Sequence, residues 1–385
     1  MSFERQMAKK SEKEVNLLES FERRFAEEAG PVKVVADKLT EAGFEPYLVG
    51  GCVRDFLLGK APKDWDITTN AKPEDILKIF PDSVYENNFG TVGVKTRSDD
   101  PTMALVEITP FRKEGKYTDK RHPDGVIFAD TIEEDLGRRD FTVNALAFEV
   151  STHKRRPEGF VDLFGGLKDL ENGIIRAVGN ADKRFQEDAL RPMRAVRFAA
   201  QLDFEIEKET AEAIRDNAYL LEMIAKERIR DEFMKVMTIE EGSSSTHSVR
   251  SESSFRSSVA RGVQLLEDLG LLKYFLPELR EGIDCGQNKH HIYSVWEHNL
   301  RALDYAAGKG YSPEVRLASL LHDVGKPRTK RGNGHDSTFY AHEVVGAKMT
   351  LRILDRLKFT KNFVEKVAHL VRYHLFYYNT GEVSE

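Results

Sequence analysis

Two carboxylates one residue apart, Asp64 and Asp66, follow a glycine pair, Gly50 and Gly51, in the stretch LVGGCVRDFLLGKAPKDWDITT, residues 48–69. In an extended strand residues i and i+2 point to one face, so the two carboxylates can converge on one point and seat divalent metal ions. Paired glycines let backbone N–H groups approach a phosphate closely, because no Cβ intervenes. A phosphate cradle followed by a metal seat suits nucleotidyl transfer. That chemistry needs positioning and charge neutralisation on phosphate oxygens more than covalent help. Two Mg²⁺ ions roughly 3.5–4 Å apart activate the attacking hydroxyl and hold the leaving pyrophosphate. Glu107, in MALVEITPF, is the candidate third carboxylate if its strand runs parallel beside the first. The other reading of Glu107 is an ordinary half-exposed strand glutamate.

Such a site needs strands to aim it and helices to back it. Residues 1–30 are rich in Glu, Lys and Arg, with Leu17, Leu18, Phe21 and Phe25 at helical spacing. This predicts a helical N-terminal extension ended by Gly30 and Pro31, and a second helix follows over 32–42, stopping at Gly43. Residues 31–150 form the expected catalytic head, an α+β unit with a small mixed sheet. EPYLVG, WDITT, GTVGVKT, MALVEITPF and NALAFEV read as its strands, and VRDFLLG and PEDILKIF as its helices. From 160 strand signals fade, and 151–239 reads as a helical neck. The stretch 240–262 is Ser-rich with few apolar residues, which predicts a flexible linker. Residues 263–385 read as a helical body.

Bulk properties narrow the class. The chain has 385 residues, enough for two or three domains, with 40% hydrophobic and 32% charged content. A net charge of −6 means that any nucleic-acid binding must use local basic patches. Cys52 and Cys285 lie far apart without CxxC spacing, which argues against a disulfide framework or a thiolate zinc site. The N-terminus MSFERQMAKKSEKE has no apolar core segment, and no run approaches the ~18 apolar residues of a membrane span. A cytoplasmic location without membrane contact is the expectation, and no obligate protein partner is inferred.

Three further constellations carry chemistry. FRKEGKYTDKRHP (111–123) and DLGRRDFTVNALAF (135–148) are basic, with Arg138 and Arg139 adjacent. Alone, such a pair is a solvated surface feature. In FQEDALRPMRAVRF (185–198), Asp188, Arg191, Arg194 and Arg197 recur every third residue. On a helix this makes a slowly turning stripe, and without context a charged face. Finally HHIYSVWEHNLRALDY, RLASLLHDVGKPRTK, FYAHEVVGAK and VAHLVRYHL gather His291, His298, His322, Asp323, His342 and His374, a set suited to transition metals.

The ordered combination of glycine pair, DxD, RRDFTVNA and EDALRPMRAVRF resembles the class II tRNA nucleotidyltransferases (CCA-adding enzymes) and bacterial poly(A) polymerases. The segments VDLFGGLKDLENGIIRAVG and KERIRDEFMKV resemble that family's head-to-neck connector and its ERIxxEL helix, so the likeness runs from about residue 32 to 240 and into the helices beyond. It implies that Gly51 and Arg54 hold triphosphate and ribose, and that Arg139 contacts the nucleotide phosphates. It implies that Asp188 and Arg191 read the base as a protein template, accepting CTP and ATP and leaving GTP and UTP with unpaired polar groups. Arg194 and Arg197 are expected to meet ribose, triphosphate or neighbouring acids. YTDKRHP resembles the loop that helps full CCA-adding enzymes switch from CTP to ATP. Pro192 departs from the family's apolar residue, so either the helix starts near Asp188 or its geometry differs. The histidine-rich segments resemble an HD domain, a metal-dependent phosphohydrolase module. That implies a transition metal at His298, His322, Asp323 and His342, although no clear distal Asp follows His374.

The reading is a template-independent enzyme that adds CCA to the tRNA 3′ end from CTP and ATP, with Mg²⁺ on Asp64 and Asp66. A poly(A) polymerase or a CC- or A-only adder shares the chemistry. An HD phosphohydrolase, or a non-catalytic RNA-binding protein, are alternatives of different class.

Overall fold

The computed structural model describes residues 12–85, 90–113, 127–150, 159–241, 255–288, 292–332 and 334–375. The chain forms two compact units, residues 1–187 and 188–385.

The first unit opens with α1 (Glu12–Glu28) and α2 (Gly30–Glu41). Then come β1 (Pro46–Val49), α3 (Gly51–Leu57), β2 (Trp65–Thr69), α4 (Pro73–Ile79), β3 (Val84–Tyr85), β4 (Val92–Lys95) and β5 (Leu105–Pro110). A short ribbon of β6 (Arg112–Lys113) and β7 (Ile127–Phe128) leads to α5 (Ile132–Gly137). A 3-10 turn (Thr142–Asn144), β8 (Leu146–Glu149), β9 (Phe160–Asp162), α6 (Gly166–Asn172), β10 (Ile174–Ile175) and α7 (Ala181–Glu187) complete it. The main sheet has the order β3-β4-β5-β2-β1-β8-β9, and β2 and β5 are its parallel pair. The expected helices and strands are present. β9 extends the sheet into residues 151–239, which read as a helical neck.

Period-two alternation sorts the sheet's faces. Leu48, Trp65, Ile67, Val92, Val94, Val106 and Ile108 share one face and are all buried. Phe21 and Phe25 of α1 belong to this layer: the Phe21 ring lies 4.7 Å from Phe148 and 5.1 Å from Phe56, and Phe25 lies 6.0 Å from Trp65. The N-terminal extension is therefore part of the head's core. The opposite face divides. Tyr47, Val49, Ala147 and Val161 pack with Ile132 and Leu136 of α5, while Asp66, Thr68, Glu107 and Thr109 give the neighbouring strands β2 and β5 a polar surface. The carboxylates thus stand where the apolar layer stops.

The second unit is helical: α8 (Arg191–Leu202), α9 (Lys208–Asn217), a 3-10 segment (Ala218–Met223), α10 (Lys226–Met237), α11 (Ser258–Asp268), α12 (Pro277–Arg280), α13 (Val295–Gly308), α14 (Pro313–Leu321), α15 (Lys326–Thr329), α16 (His342–Arg356) and α17 (Lys361–Arg372). The linker expected over 240–262 is shorter at its C-terminal side, because the Ser257 hydroxyl caps α11 and Val259, Ala260 and Val263 are buried. Residues 242–254 lie outside the described residues, as do YTDKRHP and His291.

Candidate active site and metal centre

β1 ends at Val49 and the chain turns sharply into α3 through Gly50, whose φ is +74° and ψ −133°. Only glycine adopts this backbone without strain. The turn is also filled from above. A Cβ on Gly50 would lie 3.0 Å from Arg139 Nη1 and 3.8 Å from Asp66 Oδ2. The missing methyl therefore brings together backbone, guanidinium and carboxylate.

Asp66 pairs with Glu107 across the parallel β2–β5 ladder, so the two side chains share a face. Asp64 lies just before β2 and is exposed. Burial pushes the Asp66 carboxyl up to about 7, Asp64 and Glu107 add to the rise, and Arg139 opposes it. Crowded hard oxygens of this kind fit a small divalent cation. Glu107 is half-buried and stands beside Asp66 on this face.

Arg139 Nη2 donates to Asp135 Oδ2 at 3.0 Å and Nη1 to the Asn144 carbonyl at 3.5 Å, while its Nε is buried without a hydrogen-bond partner. An orphaned buried donor beside a glycine cradle is what an anion would satisfy. Arg54 is 4% exposed and donates to Asn144 Oδ1 at 2.6 Å and Asp55 Oδ1 at 2.8 Å. It binds α3 to the RRDFTVNA turn, a role its predicted contact with ribose did not anticipate.

In the second unit Asp188 is not on the helix of the arginines. That helix, α8, starts at Arg191, with Pro192 in its first turn, where the missing N–H costs nothing. The unbroken stripe from Asp188 to Arg197 expected from spacing is therefore interrupted. Asp188 accepts from Leu190 N at 3.0 Å and is gripped by Arg228 of α10, Nη1 at 3.3 Å and Nη2 at 3.1 Å. Arg197 meets Glu232 of the same helix at 2.8 Å, and Glu232 is 2% exposed. Both Arg194 and Arg197 lie over the Phe198 ring, 5.5 and 4.3 Å from its centroid. Arg228 and Glu232 sit one helical turn apart in KERIRDEF, a spacing that could have flagged them as partners.

The histidines converge on Asp323. His298 Nε2 and His322 Nε2 lie 3.5 and 3.2 Å from Oδ2, and His342 Nε2 and His374 Nε2 lie 3.2 and 3.6 Å from Oδ1. Nδ1 of His322, His342 and His374 hydrogen-bonds a backbone carbonyl, Ser319, Phe339 and Val371, at 2.7–2.8 Å. With Nδ1 held by a carbonyl, each Nε2 faces the centre, the arrangement of metal-ligating imidazoles. His374 stands with His298, His322 and His342 around Asp323. Burial would push the Asp323 carboxyl up, but hydrogen bonds from His322, His342 and His374 hold it far below the usual range. Lys326 Nζ sits 2.6 Å from Asp323 Oδ2 and 2.7 Å from Gln287 Oε1. Gly325 makes the packing possible, since a Cβ there would lie 2.3 Å from the His342 carbonyl. Two triads, His298/His322/Asp323 and Asp323/His342/His374, bring ligand atoms within 4.8 Å of one another. They line a cavity of 810 Å³.

Comparison with known proteins agrees with this geometry. Residues 46–176 match the poly A polymerase head domain, 203–247 the probable RNA- and SrmB-binding site of polymerase A, and 295–383 the HD domain. The head and HD domains both imply a divalent metal. The CCA-adding enzyme of Ligilactobacillus salivarius is 51% identical over 204 residues, 53% of this chain and 48% of that protein. That of Lactococcus lactis is 48% identical over 215 residues, 56% of this chain and 52% of the relative. The chain thus spans about half the length of the curated relatives it matches. A crystal structure of the Bacillus stearothermophilus CCA-adding enzyme in complex with CTP is 28% identical, with a TM-score of 0.58 over 89% of this chain and 69% of that one. A tRNA nucleotidyltransferase complexed with a primer tRNA and an incoming ATP analog, 21% identical with a TM-score of 0.59, shares the fold over 87% of this chain and 83% of that one.

Proposed function

We propose that this chain is a template-independent tRNA nucleotidyltransferase that adds CCA to the tRNA 3′ end from CTP and ATP. The observation that carries the reading is the register of Asp66 with Glu107 beside the Gly50 turn and Arg139. Asp64, Asp66 and Glu107 would hold Mg²⁺, which supplies charge neutralisation at the α-phosphate and a more acidic primer hydroxyl. Gly50 and Gly51 leave room for the triphosphate, and Arg139 presents its fork to the phosphate oxygens. The primer 3′ oxygen bonds to the α-phosphorus, the bond to the bridging oxygen breaks, and pyrophosphate leaves. Asp188 and Arg191 read the base, with Arg228 fixing the Asp188 carboxylate. Relatives named as CCA-adding enzymes, one of them bound to CTP, favour this over a poly(A) polymerase or a CC- or A-only adder.

The test uses tRNA lacking its CCA end with Mg²⁺. Growth by two residues with CTP alone and by three with CTP plus ATP is expected. A long tail from ATP alone makes the protein a poly(A) polymerase instead.

A second reading has its own observation. Nε2 atoms from four histidines around one buried carboxylate suit a transition metal, and with it phosphoester hydrolysis. His298, His322, Asp323, His342 and His374 would hold the metal. Metal-dependent phosphate release that disappears in His322→Ala is expected. Among the described residues no helix is long and apolar enough to cross a membrane.

A further inference from the structure

Asp135 belongs to none of the roles assigned so far, yet its side chain is fully buried in the head. It lies on α5, whose N-terminus is capped by Thr131. Its two oxygens divide their work. Oδ1 accepts from Arg138 Nε at 3.0 Å, Arg138 Nη2 at 2.7 Å and the Arg112 backbone N–H at 3.2 Å. Oδ2 accepts from Arg139 Nη2 at 3.0 Å. The same Arg139 guanidinium then presents Nη1 toward the space a Cβ on Gly50 would fill. A buried carboxylate with this many charge-assisted donors fixes the direction of its partners.

Arg138 and Arg139 both pair with this carboxylate through their guanidiniums, and Arg112 meets it through its backbone N–H. Arg112 is pushed down to about 10, first by its own burial and then by Arg138. Asp135 itself is held below the usual carboxylate range, because Arg139 and Arg138 outweigh the effect of burial. Arg139 keeps a buried Nε without a partner and an Nη1 at the Gly50 turn, where a phosphate anion can meet it. The β- and γ-phosphates of a nucleoside triphosphate supply it.

We propose that Asp135 is a positioning residue for the nucleotide triphosphate, acting through Arg139. It holds the Arg139 fork in the plane that meets the phosphates over Gly50. Without it the guanidinium swings among rotamers, and the order of the site is lost before the nucleotide arrives. This rests on the nucleotidyltransferase reading. Because the phosphates are common to both nucleotides, Asp135 supports CTP and ATP equally and leaves base choice untouched.

The experiment is a double-mutant cycle on CMP and AMP addition with the full chain, using Asp135→Asn, Arg139→Ala and the pair. Asp135→Asn is expected to raise KM for CTP and for ATP by the same factor, about ten-fold, with a smaller fall in kcat. The pair is expected to be no worse than Arg139→Ala alone. Multiplicative effects, or a wild-type KM in Asp135→Asn while Arg139→Ala is impaired, overturn the positioning role. If Arg139→Ala leaves KM unchanged, the phosphate reading of Arg139 fails first and takes the proposal with it. Should Asp135→Asn not fold, Asp135→Glu keeps the charge but shifts the oxygens. A raised KM in that variant at wild-type melting temperature supports positioning, and a wild-type KM contradicts it.

Discussion

Asp66 carries the most consequence for one side chain. Its folded-state pKa of about 7 lies above the value of about 4 in an unfolded chain. Between those values the folded protein binds a proton that the unfolded chain does not. Stability without metal therefore falls as pH rises from 4 to 7 and stays lower above. In EDTA at pH 8, Asp66→Asn is expected to melt at a higher temperature than the parent, and at pH 4 the difference should vanish. A thermal melt at both pH values checks this. At Gly50 the expectation is opposite. Gly50→Ala meets both a φ of +74° and the Arg139 guanidinium, so it should cost about 1–3 kcal/mol and most of the addition activity. Urea titration and a CMP-addition assay measure the two losses. Asp64, Asp66 and the glycine pair were legible in the sequence because their relation is local. Glu107 was left open because its value depends on a parallel ladder with a distant strand. The helical spacing of Asp188 to Arg191 left the helix start open, and Pro192 in the first turn puts that start after Asp188.

Elements decide how rigidly those residues stand. Helix α1 closes the apolar face behind the carboxylates with two phenylalanines. Phe21→Ala removes a 2%-exposed ring from contact with Phe56 and Phe148 and should cost about 3–5 kcal/mol. Denaturant unfolding of the head reads this, and a loss under about 1 kcal/mol would mean that the extension is not a core element. The α1 register was visible from Leu18, Phe21 and Phe25, but not the sheet layer that they cover. The longer strands were also visible, since alternation needs only four or five residues to declare itself. The two-residue strands β3, β6 and β7 are too short to carry a period, and three-residue β9 is scarcely longer; only their pairing defines them.

The whole chain carries two sets of chemistry-bearing side chains in two compact units. The HD cluster draws on α13, the α14–α15 corner, α16 and the residues after α17, each contributing a side chain that could hold a metal and that the sequence could name but not aim. His374 became a full member because its Nδ1 hydrogen-bonds the Val371 carbonyl, which turns Nε2 inward. His322→Ala should abolish metal-dependent phosphoester hydrolysis and leave nucleotide addition within two-fold, about the error of comparing two preparations. Parallel assays on one preparation check this. The most direct measurement for the central claim is single-turnover transfer of labelled CMP from CTP to tRNA lacking CCA, comparing the parent with Asp66→Asn in Mg²⁺. The expected result is rapid transfer by the parent and a rate at least ~10³-fold lower in the variant, from loss of charge stabilisation at the phosphate. Equal rates in both proteins would contradict a metal seat built on Asp66.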